Sequence, residues 1–375
     1  MTLIRRAEVD RKIVDVRIDG RSVRQVSPHE LTPIGDEEVI DAGRCALIPG
    51  LHDHHIHLLA TARAATSIDV SRGVDALAAA PAGSGWIRAV GGGDDLDAAA
   101  LDRIAPNRPV RVQHHSGALW VLNSSAIAAV DAANASEPGI ERAADGSPTG
   151  RFWRLDNWLG ERVDDDPPDL GPLGRRLSAL GVTGVTDATP TLGAGAAEII
   201  AAGRLPQQLC FLAADPPAWG TTGPRKIVLE DHNLPTYDDL REEVADARIL
   251  RRAVAVHCVT RESLLLMLAV LEEIGAVPGD RIEHAAVMDV DTVARLARLG
   301  IAVVTQPGFI LERGDRYLND VPSNDLDDLY RYASLVEARV TVVPSSDAPY
   351  GPLDPWTVLR SARDRRSADG ARVNV

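Results

Sequence analysis

Ile48-Pro49-Gly50-Leu51-His52-Asp53-His54-His55-Ile56-His57 is where the chain changes character. An apolar run and a Pro-Gly break lead into a cluster of histidines. Side chains of an extended strand alternate with period two, so His55 and His57 share a face. Two imidazoles side by side at a strand end are a ready pair of metal ligands. His52 and His54 fall on the opposite face and read as packing or supporting residues.

Upstream of this stretch the chain reads as β structure. Lys12 to Ile18 alternates apolar and polar residues, Asp19-Gly20 is a hairpin turn, and Ser22 to Val26 alternates again. Glu38 to Leu47 reads as another strand pair. Residues 1–48 are therefore expected to form a small N-terminal β unit. Downstream, strand-like runs alternate with helix-like runs. The strand runs are 48–56, 86–90, 110–114, 182–187, 208–214, 226–230, 253–258, 281–286, 301–305 and 340–346. Helices are expected from Thr260 to Ile274, stopped by Gly275, and from Asp291 to Leu299, stopped by Gly300. Another opens at Thr236-x-x-Asp239. Alternation of this kind implies parallel strands joined by crossovers. A (β/α)₈ barrel takes eight strands. Two of the four runs beginning near 86, 110, 182 and 208 therefore lie outside the barrel or are irregular. The fold expected is an α/β TIM barrel over residues 49–367, with a tail over 368–375. Asp164 to Asp169 reads as a solvated loop.

Several of these runs end in chemistry. Ala253-Val254-Ala255-Val256 leads to His257, Arg281-Ile282-Glu283 to His284, and Val340-Thr341-Val342-Val343 through Pro344-Ser345-Ser346 to Asp347. In a barrel, strand C-termini converge on one mouth, where active sites lie. A lone strand-end histidine is more often structural, but the repetition makes His55, His57, His257, His284 and Asp347 candidate metal ligands. Such a donor set suits one or two divalent ions, most readily Zn²⁺, with Fe²⁺ or Mn²⁺ as alternatives. Among 40 basic residues only Lys12 and Lys226 are lysines. Lys226 opens an apolar strand run. A lysine amine loses its proton readily on burial, which an arginine does not. Neutral, it reacts with CO₂ to give a carbamate, a bidentate anion able to bridge two metal ions. The alternative is a substrate-facing or salt-bridged lysine.

The rest of the composition excludes more than it assigns. The net charge is −14 and no Lys/Arg block stands out, which argues against nucleic acid or an anionic membrane as partner. The three cysteines are scattered and form neither a disulfide framework nor a thiolate zinc site. The sequence has no long apolar span and no secretory segment at its start, so a cytoplasmic protein is expected.

Taken in order, Pro49 to His57, Val254 to His257, Arg281 to Ala285 and Ser345-Ser346-Asp347-Ala348-Pro349 resemble the ligand motifs of the amidohydrolase superfamily. Within it, His115-Ser116-Gly117-Ala118-Leu119-Trp120-Val121-Leu122-Asn123-Ser124 and Gly181 to Ala188 resemble the YtcJ-like branch, which includes N-substituted formamide deformylase. The resemblance covers roughly residues 12–367. It implies a metal-dependent hydrolase with a TIM barrel and a flanking β-sandwich. Members usually continue well beyond the Asp347 position, so it implies either an incomplete sandwich or a shortened chain. Related sequences often carry a Gly-Ser loop after the lysine, where this chain has Glu230-Asp231-His232-Asn233.

The expected function is hydrolysis of a non-peptide, amide-type carbon–nitrogen bond of a small molecule through a metal-activated water. Asp347 is the expected proton acceptor and donor. A lactone or phosphoester hydrolase on the same site and a non-catalytic relative are the alternatives. Candidate substrate contacts are His114, His115, Trp120, Phe309, Arg313 and Arg316, the two arginines as partners of a substrate carboxylate. Dimerisation to a homodimer or poor solubility is expected, because an incomplete sandwich exposes an apolar edge.

Overall fold

The Asp19-Gly20 turn does what its residues imply. Gly20 takes φ 56° where the chain turns from Lys12–Asp19 toward Ser22–Ser27. The computed structural model describes residues 1–20, 22–163 and 166–373. The chain divides into two units, Met1–Leu51 and His52–Val375. In the first, β1 (Thr2–Val9), β2 (Lys12–Asp19), β3 (Ser22–Ser27) and β4 (Glu38–Asp41) form one sheet in the order β3-β2-β1-β4. The strand pair expected over Glu38–Leu47 is a single short strand followed by an isolated bridge between Glu8 and Ala46. Left-handed backbone at Gly43 (φ 56°) and Arg44 (φ 70°) breaks the ladder. Arg17 and Glu37 form a buried ion pair at 2.8 Å within this unit. Edge strand β3 leaves Val23 and Val26 exposed.

Strand β5 (Leu51–Ile56), all but its first residue in the second unit, carries the histidine motif. Between it and the next parallel strand stands a separate mixed sheet. Its strands are β6 (Ile68–Asp69), β7 (Ile87–Gly92), β8 (Val110–His114), β9 (Leu119–Leu122), β10 (Ile140–Arg142) and β11 (Pro148–Trp153), ordered β10-β11-β9-β8-β7-β6. The runs at 86 and 110 thus belong to this inserted sheet. Of the expected loop Asp164–Asp169, Asp164 and Asp165 lie outside the described residues.

The chain then returns to parallel strands β12 (Val182–Asp187), β13 (Gln208–Phe211), β14 (Thr221–Thr222), β15 (Arg225–Val228), β16 (Val254–Cys258), β17 (Arg281–His284), β18 (Ala302–Thr305) and β19 (Val342–Pro344). They form two sheets, β14-β13-β12-β5 and β15-β16-β17-β18-β19. Backbone bonds link the sheets at both ends. Lys226 N donates to Leu212 O at 2.8 Å, and Asp347 N donates to His55 O at 2.8 Å.

Helices pack outside these strands. In Arg261–Ile274, Thr260 accepts a hydrogen bond from Ser263 N at the start, and Gly275 at φ 93° ends the helix. Leu264, Met267, Leu268 and Leu271 repeat at helical spacing and are fully buried against β15–β18. Truncating one of these leucines to alanine is expected to cost about 2–5 kcal/mol. The expected tail packs over its described part. Val373 N donates to Arg365 O at 3.0 Å, and its side chain is buried beside Phe309 and Tyr330. No helix among the described residues is long and apolar enough to cross a membrane.

Candidate metal centre

Strand alternation places Asp53, His55 and His57 on one face of β5. Asp53 and His55 are buried. Asp53 accepts hydrogen bonds from Ser346 Oγ, from Ser346 N at 3.2 Å and from His55 N at 3.2 Å. Burial pushes the Asp53 carboxyl up to about 6. This network ties the end of β5 to the segment that delivers Asp347. On the other face, His52 Nε2 meets Thr186 Oγ1 at 2.8 Å and the His52 and His54 rings lie 4.3 Å apart.

The structure brings His55, His284 and Asp347 together, each offering a ligand atom within 4.8 Å of the others. His57 Nε2 lies 3.3 Å and His55 Nε2 3.5 Å from Asp347 Oδ1. Lys226 Nζ is 3.5 Å from His55 Nε2. The His257 ring centroid is 4.4 Å from that of His284. All six sequence candidates for metal ligation therefore meet in one place.

Two partners that sequence reading did not assign decide how these rings present themselves. His55 Nδ1 is hydrogen-bonded to Glu283, which is fully buried and also 2.6 Å from Arg281 Nε. His284 Nδ1 is bonded to Gln306 Oε1 at 2.7 Å. Each outer nitrogen is thus a donor, which leaves Nε2 with its lone pair. Glu283 and His284 are adjacent on β17, and successive strand residues normally face opposite ways. Both nevertheless reach His55. Left-handed backbone at His284 (φ 67°) and Ala285 (φ 47°) turns the strand end back. Asp347 is held the same way, at φ 52°. Such backbone costs of order 1–3 kcal/mol and concentrates where function fixes geometry.

The electrostatics suit metal ligation. Burial lowers the pKa values of His55, His257 and His284, the last to about 3, so the rings are neutral. Burial also lowers the Lys226 amine. Burial opposes charge on Asp347 as well, so its carboxyl stays below its usual range only where positive charge stands beside it. Asp347 Oδ1 is buried without a well-formed hydrogen bond. An anionic oxygen in that state, faced by neutral imidazole nitrogens, needs a cation. The residues present fit a divalent ion.

The chain belongs to the amidohydrolase family. The family's model matches residues 38–374. The chain is 26% identical to N-substituted formamide deformylase of Arthrobacter pascens, over 90% of this chain and 77% of that protein. It is also 26% identical to the putative amidohydrolase YtcJ of Bacillus subtilis (strain 168). That match spans 40% of this chain and only 30% of the relative. A metal-dependent hydrolase of Pyrococcus furiosus superposes with a TM-score of 0.69 at 18% identity, covering 96% of this chain and 87% of that one. At that identity the likeness is one of fold.

The expected substrate contacts of this amidohydrolase are spread over two environments. His114, His115, Arg313 and Arg316 line a cavity of about 870 Å³. His114 Nε2 meets Asp94 Oδ1 at 3.0 Å, His115 Nδ1 meets Gly92 O at 3.0 Å, and Arg316 contacts His115 Nε2. Arg313 donates to Tyr350 O at 2.9 Å and stacks on Phe309, its guanidinium carbon 4.1 Å from the ring centroid. Phe309 itself is buried in a core cluster. Trp120 is buried within the inserted sheet, donating to Asp156 Oδ1 at 2.9 Å, and does not line the cavity.

The sequence carried some signal for the residues it left without a role. Glu283 lies inside the Arg281–Ala285 motif, a carboxylate on a strand that leads into a candidate ligand. Gln306 directly follows the strand run 301–305, at a strand end like the candidate ligands. What neither position reveals is its partner, 228 residues away for Glu283 and 22 for Gln306.

Proposed function

We propose that this amidohydrolase is a metal-dependent hydrolase of non-peptide, amide-type carbon–nitrogen bonds in small molecules. We read β5, β12, β13 and β15–β19 as the eight strands of a (β/α)₈ barrel with the centre at its C-terminal mouth. The parallel register, the two linking backbone bonds and the placement of the histidines and Asp347 at or just beyond strand ends support that reading. The observation that carries the function is the buried Oδ1 of Asp347, without a well-formed hydrogen bond, set among His55, His57 and His284.

His55, His57, His257, His284 and Asp347 would hold one or two divalent ions, with zinc suited to the nitrogen-rich set. Lys226 as its carbamate would complete a two-ion site. Its burial and its approach to His55 support that role. A divalent ion bound here supplies the charge that acidifies a water, from about 15.7 to near 7, and polarises a carbonyl. Asp347, ionised and within reach of His57, accepts the proton of the attacking water. As the carbon–nitrogen bond breaks, Asp347 returns that proton to the departing nitrogen, leaving a carboxylic acid and an amine. Glu283 holds the His55 ring in orientation throughout.

The test is elemental analysis of gently purified protein, followed by a panel of N-substituted formamides, lactones and phosphotriesters. About one or two divalent ions per chain and preferential amide cleavage are expected. Substoichiometric metal that Zn²⁺ or Mn²⁺ cannot restore would refute the enzyme reading. Preferential lactone or phosphotriester turnover would keep the centre and change the bond.

A further inference from the structure

The 870 Å³ cavity lies outside the metal centre, and none of the six proposed ligands lines it. It is walled by strand ends of the inserted sheet (Val90–Leu96 and Gln113–His115), by the helix Gly308–Asp320, and by Pro349 and Tyr350. Its volume suits a small-molecule site. Tyr350 belongs to both places. It lines the cavity, and its ring packs edge-on against His57 with centroids 5.6 Å apart.

Two main-chain bonds and one ring contact place Tyr350. Tyr350 N donates to Asp347 O at 2.9 Å, which makes a tight turn directly after the catalytic carboxylate. Tyr350 O accepts from Arg313 at 2.9 Å. The ring rests on Gly117, where an added Cβ would lie 2.3 Å from Tyr350 Cε1. Gly117 has φ 78°, so both its backbone and the tyrosine ring disfavour a side chain there.

We propose that Tyr350 is the specificity-determining partition between the metal centre and a substrate chamber that receives the nitrogen substituent of the amide. This rests on the hydrolase reading above. Lining the chamber on one side and packed on His57 on the other, the ring stands between the two and limits the width of a group that spans them. The lining also sets its charge. Five Asp and Glu side chains line the chamber against two arginines, with Asp94 paired to His114 and burial pushing Glu312 up to about 7, which leaves Asp69, Asp95 and Asp315 as the carboxylates that set its sign. Both guanidinium groups are already engaged, Arg313 with Tyr350 O and the Phe309 face, Arg316 with His115. Such a lining repels a carboxylate and accepts a cationic or uncharged polar group. The substrate class is therefore an amide whose nitrogen substituent carries an amine or hydroxyl groups and no acid.

The experiment compares N-benzylformamide with its 4-aminomethyl and 4-carboxy derivatives, and with a bulkier biphenylmethyl formamide. For the metal-replete wild type, kcat/KM is expected to be at least tenfold higher for the aminomethyl probe than for the carboxy probe. Tyr350→Ala is expected to raise the ratio of biphenylmethyl to benzyl kcat/KM at least tenfold. Tyr350→Leu serves where the alanine variant does not fold. Calorimetry of the charged probes with metal-stripped wild type reads the chamber without turnover, with at least tenfold tighter binding of the amine expected. Equal or reversed charge preference, or a size ratio unchanged in the folded variants, overturns the inference. Absence of hydrolysis with the calorimetric preference intact overturns the hydrolase reading alone.

Discussion

Two clusters in this chain satisfy the same distance test for a metal site, and they differ in everything else. His55, His284 and Asp347 bring ligand atoms within 4.8 Å of one another, and so do Asp94, His114 and His115. The first cluster is buried throughout, whereas Asp94 is exposed. In the first, Glu283 and Gln306 take the outer nitrogens of His55 and His284, and the inner nitrogens keep their lone pairs. In the second, Ser116 N donates to His114 Nδ1 at 3.2 Å, which places the ring proton on Nε2, facing Asp94. His115 gives its Nδ1 proton to Gly92 O and its Nε2 lone pair to Arg316. In the first cluster the inner nitrogen of His55 meets only a long 3.5 Å contact from Lys226 Nζ, and Asp347 Oδ1 has no well-formed hydrogen bond. The other is already satisfied by protein. Proximity of ligating atoms does not make a site; the hydrogen-bond partners behind them do.

The largest test of that contrast is Asp347→Asn. The amide cannot accept the water proton, so turnover of N-benzylformamide should fall about 10²–10⁴-fold. Circular dichroism and thermal melting should show the fold retained. Comparable rates for variant and parent would assign the base elsewhere.

Lys226→Arg comes next. It keeps a positive charge but forms no carbamate, so most activity and at least one metal equivalent should be lost. Lys226→Ala should regain part of its activity with a short carboxylic acid, which can imitate the bridging anion. Full activity and full metal content in Lys226→Arg would show that histidines and Asp347 suffice.

Glu283→Gln probes the residue behind the ligand. Glutamine can still accept the His55 Nδ1 proton, but it removes the charge that orients the ring and leaves Arg281 without its buried partner. Chelator competition should show metal affinity about 10–100-fold weaker. Unchanged affinity would mean that the carboxylate only fills space.

Legibility in the sequence followed the range of the interactions. His55 and His57 were readable because strand period and residue type are local. The helix Arg261–Ile274 was readable for the same reason, with Thr260 and Gly275 marking its ends. The first strand, Thr2–Val9, was not. A shift in register between Ile4 and Ala7, with Arg6 at φ 53°, breaks its alternation. The inserted sheet was only half visible, since runs near 86 and 110 look like barrel strands until their neighbours are known. Glu283 and Tyr350 were hardest. Their roles depend on which distant residue the fold sets beside them, His55 for one, His57 and Gly117 for the other.

The smallest expected effect is also the most direct check on the comparison. Replacing His114 and His115 together by glutamine removes both imidazoles of the second cluster and leaves the first untouched. Metal content per chain and affinity in chelator competition should then match the wild type. The reasoning is specific to protonation. For His114 to ligate through Nε2 it must surrender the proton it gives Asp94, while Ser116 N blocks the alternative tautomer by occupying Nδ1. For His115 to ligate, Arg316 must withdraw from Nε2 and a cation must take its place. Neither step is compensated by burial, because Asp94 already has water to solvate it. A zinc titration extended to millimolar concentration makes the test sharper. An additional equivalent that binds the wild type and disappears in the double variant would show that the paired lone pairs are released on demand. The contrast between the two clusters would then be one of affinity rather than kind.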